Sequence, residues 1–173
     1  MAEDPLFKNV TGGSLRSKTM RDREALNRFS AFHLLGWQSY SGGDMDGFLA
    51  EALLKMNKIA DEKLISMRAQ FARSLRINHN LFGRHAFRKS LADTDENAAR
   101  SVFNIALFDV FSVLFLHIRD EAIEHRRPGI LEAVQKLMRN EDFIYYITYS
   151  TNSTRQVLGR FRLAEDAIKA YMA

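Results

Sequence analysis

The stretch INHNLFGRHAFRK, residues 77–89, holds the residue types that a metal-dependent nuclease uses. An HNH-type nuclease arranges a general-base histidine and metal-binding histidine and asparagine side chains around one divalent ion. Here His79, Asn80 and His85 fall within seven positions, without the strand pattern that such a site needs. Two histidines six residues apart also do not share a helix face. The pattern therefore indicates the polar, basic end of a helix rather than a nuclease site.

A second group of metal-ligating residue types has the spacing of a helix. His117, Glu121, Glu124 and His125 lie at i, i+4, i+7 and i+8, so one continuous helix would place all four on one face. Histidine and carboxylate ligands suit a transition metal. A di-iron bundle, however, needs Glu-x-x-His pairs from two helices, and no complementary pair occurs elsewhere. We therefore predict a solvated helix end and no metal site, with a metal-dependent enzyme as the alternative.

Asp109 is the lone acid in the long apolar run 102–118. A buried carboxylate can take part in catalysis through a raised pKa, but it more often pairs with an arginine or caps a helix. The same structural role is expected of Asn104. The sequence contains no Gly-rich phosphate loop with its lysine and no recognisable Ser–His–Asp set. We predict no catalytic residue and no cofactor.

Between Glu62 and Asp93 the chain has seven cations and no acid. Arginine favours planar, bidentate partners such as phosphate, so this segment could face nucleic acid or a protein partner. Phe82 and Phe87 would anchor the segment in the core, and Gly83 would end its helix. The alternative is that these cations pair with acids from other helices. The residues predicted to face the partner are Arg73, Arg76, Arg84, Arg88 and Lys89.

The composition suits one domain without disulfides. The chain has 173 residues, no cysteine and a net charge of +4, and its acidic N-terminus lacks the apolar core of a secretion signal. These features predict a cytoplasmic protein. The run 102–118 contains Asn104, Asp109, Ser112 and His117, so it indicates a buried helix rather than a membrane span.

Apolar residues recur at helical spacing along the chain, and no two segments form a convincing strand pair. We predict an all-α fold of about seven helices around a central apolar helix at about 96–118, which could continue to His125. Residues 1–20 are expected to be irregular or to hold one short helix, and residues 21–173 to form the domain. Asp22, Asp44 and either Asp93 or Asp95 are the predicted helix caps. The predicted helices cover about 22–40, 44–56, 61–82, 96–118, 130–139, 141–149 and 154–171.

The order of several motifs resembles a known family. The stretch MRDREALNRFSAFHLLGWQSYSGGDMDGFLAEALLKMN, followed by LFGRHAFRK, NIALFDVF and NEDFIYYITYSTNSTRQVLGRF, is similar to the helical half of the GmrSD-type, modification-dependent restriction endonuclease N-terminal family. The resemblance extends over roughly residues 5–171. The residues that carry it are Met20, Asp22, Glu24, Arg28, Phe29, Asp46, Phe48, Leu49, Phe82, Gly83, Phe87, Arg88, Asn104, Leu107, Phe108, Asp109, Asp142, Phe143, Ile147, Thr151, Val157 and Arg160.

The resemblance implies a helical domain that works beside a separate ParB-like catalytic half in prokaryotic defence against foreign DNA. The ParB-like signature Asp-Gly-Gln-Gln-Arg is absent from this sequence, and so is a C-terminal HNH nuclease domain. No catalytic residue carries over, and the chain is expected not to be an enzyme. The shared polar residues Asp22, Glu24, Arg28, Asn104 and Asp109 are expected to be structural. The alternative is a stand-alone nucleic-acid-binding protein that uses residues 63–89.

Overall fold

The computed structural model describes residues 1–93 and 97–172. Its fold is all-α, as predicted, and the described residues form no strand beyond two isolated bridges, Arg88 with Phe103 and Ile118 with Met172. Short 3₁₀ turns join several of the helices. The α-helices of the described part are α1 (Pro5–Thr11), α2 (Arg21–Leu35), α3 (Met45–Met56), α4 (Asp61–Phe82), α5 (Ile105–Leu114), α6 (Asp120–His125), α7 (Arg127–Leu137), α8 (Glu141–Tyr146) and α9 (Thr154–Ile168).

Helix α5 lies at the centre of the molecule, because α2, α4 and α9 all pack against it. Every residue from Ala106 to Leu114 is buried, Asp109 and Ser112 included. A helix surrounded on all sides must be apolar around its whole circumference, which explains why this run is so hydrophobic. The prediction of a central apolar helix in this part of the chain is therefore confirmed.

The predicted start of this central helix was wrong, and so was its possible continuation to His125, whereas its predicted end at about 118 is close to the observed one. It begins at Ile105, because the Asn104 side chain caps it by accepting a hydrogen bond from the backbone N–H of Leu107 at 2.9 Å. Asp93 instead follows a 3₁₀ turn, and Asp95 lies outside the described residues. At the other end, a 3₁₀ turn and the extended residue Ile118 separate α5 from α6.

Helix α2 also differs from its prediction at both ends. It begins at Arg21 after Met20, whose φ is 58°, and the Asp22 carboxylate accepts a hydrogen bond from the adjacent Arg23 N–H at 2.8 Å instead of capping the helix. The helix ends at Leu35 rather than Tyr40. Gly36 follows with φ of 79°, a left-handed conformation that glycine adopts without strain.

Other helix predictions are confirmed in type and place, although α7 begins at Arg127 rather than at about 130 and α8 ends at Tyr146 rather than at about 149. Helix α4 has the predicted bounds and stops before Gly83, and Asp44 caps α3 by accepting from the N–H of Gly47 at 2.9 Å. Pro128 lies in the first turn of α7, where its missing N–H costs nothing. The Ile- and Tyr-rich segment after Asn140 is helical, as predicted, despite its strand propensity.

The N-terminal segment belongs to the same core. The short helix α1 packs against α4, and the rings of Phe7 and Phe71 have their centroids 5.5 Å apart. Phe7 and Val10 are buried. Across the described residues, no helix has both the length and the hydropathy needed to cross a lipid bilayer.

Candidate functional site

The most conspicuous polar cluster is buried at the centre of the fold. Asp109 of α5 accepts two hydrogen bonds from Arg28 of α2, from Nε at 2.8 Å and from Nη2 at 2.5 Å. Arg160 of α9 donates a third from its Nη2 at 2.7 Å. The side chains of all three residues are 0–1% exposed. Asp109 is therefore paired with arginines, which is the role its place in an apolar helix favoured.

The cluster has two guanidinium groups for one carboxylate. Burial lowers the pKa of Arg160 to about 10, although Asp109 acts in the opposite direction. Burial also opposes the charge of Arg28, but the attraction of Asp109 outweighs it and the pKa of Arg28 is raised. Glu24, at 3.8 Å from Arg28 and half-exposed, is the next acid outward. Both arginines stay protonated at neutral pH.

The two arginines also hold the loop between α8 and α9. Arg160 donates to the carbonyl oxygen of Thr151, and the Tyr40 hydroxyl donates to that of Asn152. Arg28 contacts the Asn152 side-chain oxygen at 3.4 Å. Since a carboxylate so engaged is not free to accept a proton from a substrate, Asp109 is a structural residue.

Sequence patterns could not identify all members of this cluster. Arg160 was among the residues that carry the family resemblance, but Tyr40 and Asn152 had no signal of their own. Tyr40 lies 112 positions from the Asn152 carbonyl to which it donates, and Arg28 lies 124 positions from the Asn152 side chain. Only folding brings these groups together, so no local spacing in the sequence predicts these contacts.

The expectation that Arg88 faces a partner is wrong. Its side chain is fully buried and donates hydrogen bonds to the carbonyl oxygens of Thr11 at 2.6 Å and Ala86 at 2.8 Å. The preceding residue, Phe87, has φ of 58° and turns the chain so that Arg88 enters the protein. Burial, with a smaller contribution from Arg100, lowers the pKa of Arg88 to about 10.

The remaining predicted contact residues are divided between paired and exposed positions. Arg73 binds Asp120 at 2.7 Å and the carbonyl oxygen of Ile118 at 2.6 Å, so it links α4 to the start of α6. Lys89 donates to the Thr148 hydroxyl at 2.6 Å. Arg76 and Arg84 are exposed. The segment 63–89 therefore offers a nucleic acid fewer free cations than its sequence indicated.

Neither histidine group brings three His, Asp or Glu side chains together in the described residues. His117 lies in the 3₁₀ turn before α6, so it does not share a continuous helix with Glu121, Glu124 and His125, contrary to the spacing argument. Nowhere in residues 1–93 or 97–172 do three metal-ligating side chains gather. His85 is buried, with Nδ1 at 2.9 Å from the Ser90 hydroxyl, while Asn80 is exposed at the end of α4.

His33 of α2 gives the fold a pH dependence that can be measured. Its ring stacks on Phe29 with centroids 5.3 Å apart, and burial, with His117 nearby, lowers its pKa from 6.5. In the unfolded chain the pKa of His33 is near 6.5, so between that value and the lowered pKa of the folded protein the unfolded chain binds more protons. The stabilisation that the neutral His33 ring gives the folded protein above pH 6.5 is therefore lost as the pH falls through that window.

We expect the urea concentration at the unfolding midpoint to be lower at pH 5.5 than at pH 7.5. This decrease should be larger in the unaltered chain than in His33→Gln. His125→Gln, at an exposed histidine, is the matched control and should keep the dependence of the unaltered chain. Equal pH dependence in the unaltered chain and His33→Gln would contradict this assignment.

No known protein family, curated protein or solved structure matches the chain with significance.

Proposed function

We propose that this chain is a non-catalytic helical domain of the GmrSD type, which supports a separate ParB-like catalytic half in the restriction of foreign DNA. The proposal rests on one observation above all. Arg28, Asp109 and Arg160 all belong to the set that carries the sequence resemblance, and they meet in one buried cluster although they lie 81 and 51 positions apart.

Most other members of that set support the same interpretation, although Met20, Glu24, Asp46 and Asp142 are exposed. A chance similarity of sequence would involve exposed and buried positions alike, whereas residues that define a shared fold lie mostly in its core. Asn104 caps the central helix, and Thr151 accepts a hydrogen bond from Arg160. The apolar members that are buried are Phe29, Phe48, Leu49, Phe82, Phe87, Leu107, Phe108, Phe143, Ile147 and Val157.

The non-catalytic part of the proposal rests on how the polar groups are used. Asp109 is committed to two arginines, and Arg88 to backbone carbonyls. The proposal places the chain in the prokaryotic cytoplasm, where restriction acts, and assigns the chemistry to its partner. Its role would be to hold that partner in the active arrangement.

The test begins with the DNA on either side of the gene. A reading frame for a ParB-like protein with the Asp-Gly-Gln-Gln-Arg signature would supply the partner, which is then tagged and co-expressed with this chain. We expect the two to elute as one complex in size-exclusion chromatography. The control is the same tagged partner expressed with an unrelated helical protein of similar size.

Two outcomes would refute the proposal. One is separate elution of the chain and the ParB-like protein. The other is nucleotide or DNA hydrolysis by the purified chain alone, if a point substitution in this chain abolishes it.

A further inference from the structure

The loop between α1 and α2 has a dense group of exposed cations. Arg16, Lys18, Arg21 and Arg23 fall within eight residues and all are exposed. The exposed Arg100 lies at the start of this loop, because its guanidinium lies against Gly12, where an added Cβ would come within 2.5 Å of Nη1. We call these five residues the N-terminal basic surface.

The acids around this surface are engaged elsewhere or hidden. Asp22 is 6% exposed and accepts from a backbone N–H at 2.8 Å, and Glu24 lies 3.8 Å from Arg28. Glu3 pairs with Lys8 at 2.5 Å and also lies close enough to Arg23 to attract it electrostatically. Within the described parts of the chain, none of the five basic residues forms an ion pair. Apart from the attraction between Glu3 and Arg23, their positive charge is therefore available to a ligand.

The shape of the surface places hydroxyl groups beside the cations. One cleft of about 590 Å³ is lined by the cations Lys8, Arg16 and Lys18, by Ser17 and by the acids Glu3 and Asp22, among others. A second cleft of about 470 Å³ is lined by Ser14, Arg16, Thr19 and Arg21 and by no acid. Arg16 borders both clefts. Arginine, lysine and hydroxyl side chains are the groups that contact the phosphates of nucleic acids.

We propose that the N-terminal basic surface binds the phosphate backbone of double-stranded nucleic acid. Residues 12–23 contain no aromatic side chain, so this surface lacks the stacking platform that single-strand binding uses. A membrane-binding surface needs a broad apolar face, whereas the large apolar side chain exposed in this loop is Met20 alone. Binding through phosphates is independent of base sequence. Binding of nucleic acid by this surface also does not require the proposed catalytic partner.

The test compares two double charge reversals in the full chain. Arg16→Glu/Arg21→Glu alters the proposed surface, and Arg76→Glu/Arg84→Glu alters two exposed arginines of α4 and of the turn that follows it. Each double variant lowers the formal net charge from +4 by four, so a general charge effect is the same in both. Binding of a labelled 20-base-pair duplex is followed by fluorescence anisotropy at several salt concentrations, after circular dichroism has shown that both variants fold.

We expect the unaltered chain to bind the duplex with an affinity that falls as salt rises, because phosphate contacts release counterions. Arg16→Glu/Arg21→Glu should weaken binding about tenfold or more and reduce the slope of log K against log salt by about 2. Arg76→Glu/Arg84→Glu should weaken it less than about twofold.

Three results would overturn the inference. They are no duplex binding at 50 mM salt, equal losses in the two double variants, and binding to vesicles of phosphatidylcholine and phosphatidylserine in preference to the duplex. The last result would assign the surface to a lipid headgroup instead. Co-elution with a ParB-like protein is measured separately, so a failure here leaves the proposed function standing.

Discussion

Replacing Asp109 by alanine is expected to destabilise the protein by about 3–5 kcal/mol, because the change leaves two buried arginines without their shared carboxylate. Removal of one partner from a buried ionic group is costly since the remaining charges keep their desolvation penalty and lose their attraction. A typical domain is stable by only about 5–15 kcal/mol, so the variant should be largely unfolded under mild denaturing conditions. Urea unfolding followed by circular dichroism measures the effect.

Two further variants separate charge from packing. The triple replacement Arg28→Met/Asp109→Leu/Arg160→Met removes every charge of the cluster and should be more stable than Asp109→Ala alone. Asp166→Ala breaks an exposed pair with Lys169 and should change the free energy of unfolding by less than about 0.5 kcal/mol. A loss below about 1 kcal/mol in Asp109→Ala would mean that water solvates the arginines and that the cluster does not hold the fold together.

Replacing Arg88 by alanine is expected to cost about 3 kcal/mol, because the carbonyl oxygens of Thr11 and Ala86 then lose their donor inside the protein. The Arg88 guanidinium also reaches the carbonyl oxygen of Val10 at 3.3 Å and the Ser14 hydroxyl at 3.2 Å. It therefore attaches α1 and the following loop to the core. The loss of this attachment should release α1 before the rest of the chain unfolds.

Limited trypsin digestion provides a second measurement for this variant. Cleavage after Lys8 and Arg16 should be faster in Arg88→Ala than in the unaltered chain, because local opening exposes the backbone to the protease. Arg76→Ala, at an exposed arginine, is the matched control and should leave both stability and cleavage rate unchanged. Unchanged cleavage in Arg88→Ala would show that α1 is held by Phe7 and its apolar contacts instead.

Arg88 also illustrates the limit of composition arguments. An acid-free run of seven cations between Glu62 and Asp93 predicts a basic face, since arginine is rarely buried without a carboxylate. The structure buries one of these cations against carbonyl oxygens and joins another, Arg73, to Asp120. Thr11 lies 77 positions from Arg88 and Asp120 lies 47 positions from Arg73, so the run by itself could not separate free cations from committed ones.

The sequence by itself determined the helical class, the buried character of the segment around Asp109 and the bounds of α4, because each depends on periodicity and on local breakers such as Gly83. It also favoured the structural role of Asp109, since a lone acid in an apolar helix requires a partner. The break between α5 and α6 was not evident, because Ile118 suits a helix and an extended segment equally well.

The tertiary structure alone decided which partner each polar side chain found. The cluster of Arg28, Asp109 and Arg160 joins three helices that are distant in the chain, and the loop carbonyls it holds carry no side-chain signature. In the same way, Arg100 reaches the N-terminal basic surface only through folding. Local spacing reports which face of a helix is buried, whereas the pairing of charges depends on how those helices pack together.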